Sequence, residues 1–265
     1  MYAFAYHRPQ SLADAAKLLS SIKEAKLLAG GHTLIPTMKQ RLAGPKAIVD
    51  LSRIAELRGI ARRGDAIVIG AMVSHDEVAN SPEVRSAIAG LGKVASLIGD
   101  PHVRNRGTIG GSVANNDPAA DYPAAVLALA ATIATNKREI KADDFFTGLF
   151  ATSLEEGEII TRITFPVPGK FAYAKFANPA SRYALAGVAV AQSGKEVRVA
   201  VTGAGSNGVF RHRAMEAALA ANWSAQALAN VTSNAADMMS DIHGDGSYRA
   251  HLIAVMARRA VAAAG

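Results

Sequence analysis

Two glycine pairs constrain this chain more than anything else in it: Ala29-Gly30-Gly31-His32-Thr33 and Thr108-Ile109-Gly110-Gly111-Ser112. Glycine admits φ > 0 and carries no Cβ to hold a ligand away, so consecutive N–H groups at such a turn converge into a concave, partly positive nest. The first pair follows the apolar run Lys26–Ala29, which predicts a strand, and precedes a helical pattern from Thr33 to Arg41. A helix that begins at such a turn adds free N–H groups and the positive end of its dipole. One glycine pair between a strand and a helix serves a plain tight turn as readily as an anion. Two in one chain point to a diphosphate, and Thr33 and Ser112, close behind the pairs, add hydroxyl donors.

Around these turns the N-terminal part alternates short helices and strands. Ser11 and Asp14 form a capping signal ahead of Ala15, Leu18 and Leu19, and Ala47–Leu51 predicts a strand. Ile60 to Met72 predicts two strands joined at an Arg62–Asp65 tip. Ser74 and Glu77 form a capping box whose helix is interrupted at Ser81-Pro82, and a second helix runs to about Ile98 before Gly99-Asp100-Pro101 breaks it. From His102 to Asp121 the chain is polar, glycine-bearing and long for a connection, which predicts an extended binding loop, followed by a helix from Pro123 to Ala134. Pro166 and Pro168 mark a boundary. Beyond them, strands at 171–176 and 197–202 and helices from about Arg213, Ser224 and Ser247 make a smaller α+β unit.

Composition removes several function classes. At 265 residues and 50% hydrophobic, the chain suits two domains with a sizeable core. It has no cysteine, hence no disulfide, no thiolate nucleophile and no cysteine-held iron–sulfur cluster. No run reaches the length of a membrane span and the first residues lack a secretory pattern, so a cytoplasmic location is expected. The net charge of +7 comes from scattered basic residues without interleaved aromatics, which predicts a solvated or docking surface and no nucleic-acid binding. The histidines show no metal-ligand spacing, and no hydrolytic triad is present, so no catalytic side chain and no metal site is expected. Gly203-Ala204-Gly205-Ser206-Asn207-Gly208 has the G-x-G-x-x-G spacing of a dinucleotide turn, but no second strand with a ribose-binding acid follows it. It is expected to be a plain strand-to-helix turn.

The string from Arg104 to Pro123, together with Leu28–Lys39, resembles the FAD-binding medium subunit of the molybdenum hydroxylases, the carbon monoxide dehydrogenase and xanthine dehydrogenase type. The resemblance runs from Tyr6-His7-Arg8-Pro9 to the helix closing at Arg259. It implies an α+β fold: a two-lobed FAD-binding domain of the PCMH, or vanillyl-alcohol oxidase-like, type at 1–168, its lobes parting near 55, then a C-terminal domain at 169–265. It implies non-covalent FAD, with molybdopterin and [2Fe–2S] clusters only on a large and a small partner subunit, in a dimer of heterotrimers. The implied role is oxidoreductase: electrons from the partner's clusters leave through FAD to an external acceptor.

The implied flavin residues are Ala29, Gly30, Gly31, His32 and Thr33 in the first loop and Thr108, Ile109, Gly110, Gly111 and Ser112 in the second, with Asp121, Lys175 and Tyr183 beyond. Asp121 reads either as an acceptor for ribityl or ribose hydroxyls or as an N-cap of the Pro123 helix. Lys175 reads as a cation near the flavin's pyrimidine carbonyls or as a solvated strand lysine, and Tyr183 as a residue at the isoalloxazine end or an ordinary half-buried aromatic. Thr33 and Ser112 stand where relatives often carry Ser and Asn, and Asn178–Ser181 departs from the Gly-Asp pair of carbon monoxide dehydrogenase-like members. A stand-alone FAD oxidase and a non-catalytic anion-binding scaffold are the rival readings. Neither the complex's substrate nor its acceptor is legible.

Overall fold

The computed structural model describes residues 1–264. Among the described residues three larger sheets follow one another along the chain, with one two-stranded hairpin beside them. The first is a small parallel sheet of order β1-β3-β2, made of β1 (Ala5–His7), β2 (Ala25–Leu28) and β3 (Ala47–Asp50), with α1 (Leu12–Ser21) and α2 (Leu34–Lys39) as its connections. Ser11 starts α1 by accepting the Asp14 amide on its side chain, satisfying one of the free donors of the first turn. Ala15, Val49, Leu51, Ile54, Leu57, Met72 and Ile159 form this lobe's core.

The second sheet is antiparallel, of order β4-β5-β10-β6-β7. It comprises β4 (Ile60–Arg63), β5 (Ala66–Gly70), β6 (Thr132–Thr135), β7 (Glu139–Lys141) and β10 (Ile160–Pro166). Between β5 and β6 lie six short helices, α3 (His75–Asn80), α4 (Pro82–Ala87), α5 (Ala89–Ser96), α6 (Pro101–Arg104), α7 (Ile109–Asn115) and α8 (Tyr122–Ala128). After β7 come α9 (Ala142–Phe145) and the hairpin of β8 (Phe146–Gly148) with β9 (Ala151–Thr152). The Ser74–Glu77 capping box forms as its spacing predicts, each side chain accepting the other residue's amide.

The third sheet, β11-β12-β13-β14, is antiparallel: β11 (Lys170–Ala177), β12 (Ala184–Ser193), β13 (Glu196–Thr202) and β14 (Phe210–Arg211). Strand alternation sends Tyr173, Ala189, Ala191 and Ala200 into the core shared with the second sheet. The alternate residues Val188, Val190, Val199 and Val201 pack under α10 (Arg213–Ala221) and α11 (Gly246–Ala263). Both faces of β12 are therefore covered, and the C-terminal unit is an extension of the same apolar interior.

Three local expectations need correction. About half of the stretch from His102 to Asp121 is helical: Asp100 accepts the Val103 amide with Pro101 at the first position of α6, and Thr108 accepts the Gly111 amide to start α7. Asp100-Pro101, read as a breaker, is also a start signal. The helix from Tyr122 ends at Ala128, the chain turns at Ala130 with φ 50°, and Thr132–Thr135 joins the sheet beside β10. Pairing with β10 overrides the helical spacing of the apolar residues. Finally, Gly203–Gly208 joins two antiparallel strands, with no βαβ unit and no helix behind the turn. Among the described residues no helix is long and apolar enough to cross a membrane, and no group of three or more acidic, histidine or cysteine side chains is placed to hold a metal.

Candidate functional site

The two glycine turns meet. A Cβ on Gly30 would stand 2.2 Å from the carbonyl oxygen of Arg106, and one on Gly111 would stand 3.4 Å from the Ala29 Cβ. At Gly30 a side chain is excluded because the backbones close on each other, which is the first use of glycine at such a turn. Gly31 supplies the second, a φ of 80° that turns β2 into α2. Together the turns form the wall of a cleft of about 1310 Å³ between the first two lobes.

The turns differ in what they leave free. Among the described residues the amides of Gly31, His32 and Thr33 donate to no protein acceptor, and the Thr33 side chain makes no capping bond. This first turn is an open nest. The second corrects the sequence reading, since its amides serve the fold: Ile109 donates to Val73 O (3.0 Å), Gly110 to Ala71 O (2.9 Å), Gly111 to Thr108 Oγ1 (3.1 Å) and Ser112 to Thr108 O (3.0 Å). Thr108, Gly110, Gly111 and Ser112 still line the cleft, while the Ile109 side chain is buried in the core and does not reach it. The second turn thus offers a smooth surface and a hydroxyl, and the first offers the amides.

Asp121 also lines the cleft but is only 4% exposed. It precedes α8 without capping it by its side chain. Its Oδ1 accepts from Tyr173 Oη at 2.6 Å, and the Lys175 ammonium lies 3.0 Å from each carboxylate oxygen. Lys175 spends its remaining protons on Leu97 O and Arg182 O, both at 2.8 Å. With a side chain 3% exposed it is no solvated lysine, and it sits behind the wall rather than in it. Burial pushes the Asp121 carboxyl up from its ordinary range, against the opposing pull of Lys175 and Tyr173. Tyr183 stands at the cleft's edge, nearly half exposed, next to Arg182, whose φ of 62° bends the loop back toward β12.

Three cleft residues escaped the sequence reading. His75 is buried in the wall with its Nδ1 unpartnered, and burial, then His32 and Arg104, hold its pKa down to about 4. Asp117 lines the same cleft as Tyr183, with its carboxyl pushed up by burial. Glu158 is held down to about 2, chiefly by the Arg138 guanidinium that donates to it at 2.9 Å. His32 itself reaches His102 O at 3.3 Å and so belongs to the loop's shape.

A cleft of this volume, lined by bare amides at a glycine turn and by buried polar groups, suits a dinucleotide cofactor. The fold and site define a module built around one dinucleotide-sized cleft at a pair of glycine turns. Residues 2–168 match the family described as the FAD binding domain in molybdopterin dehydrogenase, and the chain belongs to that family. It is 37% identical to the carbon monoxide dehydrogenase medium chain of Hydrogenophaga pseudoflava over 98% of this chain and 96% of that one. It is 36% identical to the nicotine 6-hydroxylase medium subunit of Paenarthrobacter nicotinovorans over 99% and 98%. Its fold superimposes on the reconstituted CO dehydrogenase from Oligotropha carboxidovorans with a TM-score of 0.90, at 35% identity, covering 99% of this chain and 97% of that one. The α+β architecture is thus that of the medium chains, and the chain is an FAD subunit of a molybdenum hydroxylase.

Proposed function

We propose that this chain is the electron-transfer subunit of a cytoplasmic molybdenum hydroxylase, working beside a large molybdopterin subunit and a small iron–sulfur subunit in a dimer of heterotrimers. The observation that carries the reading is the open amide nest of Gly31, His32 and Thr33 packed against a second glycine turn at the wall of a dinucleotide-sized cleft. When bound, FAD supplies redox chemistry that links the partner's [2Fe–2S] clusters to an external acceptor.

In this reading the nest and the dipole of α2 hold the diphosphate, and Gly30 and Gly111 let the chain approach it. Asp121 meets the hydroxyl-bearing and ring portions from the wall. Lys175 acts from behind, its positive charge reaching the cleft beside Asp121 in surroundings that exclude water. Tyr183 covers the ring end. The flavin-binding part spans 1–168 and the remainder 169–265, in keeping with a second sheet that ends at Pro166 and a third that begins at Lys170. Relatives named for carbon monoxide and for nicotine are equally similar to this chain, as expected if the substrate pocket lies on another subunit.

Affinity purification of the tagged chain from its native host tests the proposal. The reading predicts a yellow preparation containing a molybdenum subunit and an iron–sulfur subunit. A yellow chain that purifies alone and oxidises small molecules with oxygen would favour a stand-alone oxidase.

A further inference from the structure

We infer that Tyr173 is a positioning residue that fixes the Asp121–Lys175 pair at the wall of the flavin cleft and thereby tunes the flavin's reduction. This rests on the flavin reading above. Tyr173 and Lys175 are two apart on β11, so the strand's alternation places both side chains on one face, opposite Ala189 and Gly187 of β12. Tyr173 is 6% exposed and its hydroxyl donates to Asp121 Oδ1 at 2.6 Å. The path of that hydroxyl crosses β12 at Gly187, where a Cβ would lie 2.2 Å from Tyr173 Oη. Glycine in a strand interior weakens the strand, and it marks a place where something must pass close by. Here the passing group is the phenol.

Asp121 is fixed from its backbone side as well. Thr202 Oγ1 donates to Ala120 O at 2.7 Å, and the Gly203 amide donates to Pro118 O at 2.7 Å, so the third sheet grips the segment that carries the carboxylate. The carboxylate can then move only by rotation about its own side chain, and the Tyr173 hydrogen bond opposes that rotation. A phenol donor also draws density from the carboxylate, so the ammonium of Lys175 is less neutralised by its partner. Without the phenol the carboxylate becomes more basic and screens Lys175 more fully. The positive field at the cleft weakens, and gain of negative charge there becomes less favourable.

The test is the flavin midpoint potential of the intact complex, followed by absorbance during a reductive titration, in Tyr173→Phe, Gly187→Ala and Lys175→Met. Tyr173→Phe is expected to keep its FAD and its circular-dichroism spectrum while the equilibrium constant for flavin reduction falls about three- to tenfold, about 15–30 mV for two electrons. Gly187→Ala, which crowds the hydroxyl from the other side, should shift the potential in the same sense and carries the test if Tyr173→Phe does not fold. Lys175→Met should lower it further. A wild-type potential in Tyr173→Phe or loss of FAD from the folded variant, with Lys175→Met still lowered, would reduce Tyr173 to a packing residue and overturn the inference. Wild-type potentials in all three would instead overturn the placement of the flavin beside Lys175, and the inference with it.

Discussion

Replacing Lys175 by methionine keeps the aliphatic stem but removes the cation from a carboxylate that is 4% exposed. Breaking a buried pair by deleting one partner typically costs about 3–5 kcal/mol, because the other charge stays behind in a poor solvent. Asp121 has one escape, which is to take up a proton. For a carboxyl at its ordinary pKa of 3.8, protonation at pH 7 costs roughly 4 kcal/mol. Burial already pushes this carboxyl up, so that figure is a ceiling, and a loss of about 3 kcal/mol at pH 7 follows. The sign with pH is fixed by the same reasoning. In the variant the folded state holds Asp121's proton more tightly than the unfolded chain does, so stability relative to wild type recovers as pH falls from 7 toward 5. Urea unfolding of the FAD-free chain at pH 7 and pH 5 measures both quantities. Adding Asp121→Asn to Lys175→Met should return part of the loss, since no charge is then left unpaired. A loss below about 1 kcal/mol, or a gap that does not narrow in acid, would refute the buried pair.

Four further outcomes follow from the same structure. Gly30→Ala places a methyl against the Arg106 carbonyl at 2.2 Å, forces the two turns apart and should weaken FAD binding at least tenfold by fluorescence titration, with the fold retained. His75 stays neutral down to about pH 4 while the unfolded chain takes up its proton near 6.5, so stability falls as pH drops through that window; a series of melting temperatures should show a flatter acid slope in His75→Gln. Glu158, held down to about 2 from 4.5, contributes stability that is present above pH 4.5 and lost as pH falls toward 2, and Glu158→Gln should lose that part of the acid transition. Asn207→Ala in the Gly203–Gly208 turn should leave flavin content and kinetics with NAD(H) unchanged. That site is chosen because a methyl on Gly205 would strike Gly208 O at 2.7 Å and perturb the fold itself.

The caps and tight turns of the first two lobes were legible, because their signals are local. Ser11, the Ser74–Glu77 box, the Arg62–Asp65 tip and the strand-to-helix turn at Gly30-Gly31 each act within a few residues, and each cap and turn is present. What was not legible depends on partners far along the chain. Thr132–Thr135 turns to strand because β10, about thirty residues later, pairs with it. The amides of the second glycine turn look as free as those of the first until Ala71 and Val73 are seen to accept them. Lys175 reads as a surface residue since nothing nearby announces that Asp121, Leu97 and Arg182 converge on it. One signal was present and unused: Tyr173 and Lys175 share a strand face, so a role for one implies a neighbour in the other. His75 gave no such sign beyond its place in a capped first turn.

The central claim, that the two glycine turns hold one FAD, is tested most directly by the flavin-to-protein ratio of the purified chain beside that of Gly31→Val/Gly111→Val. At Gly31 a Cβ would meet Ile35 Cδ1 at 2.6 Å on a backbone with φ 80°, and at Gly111 it would meet Thr108 Oγ1 at 2.9 Å, so both turns are obstructed where they line the cleft. One FAD per wild-type chain and none in a double variant with a folded circular-dichroism spectrum is the result expected. Stoichiometric FAD in that variant, or none in the reconstituted wild type, would contradict the account.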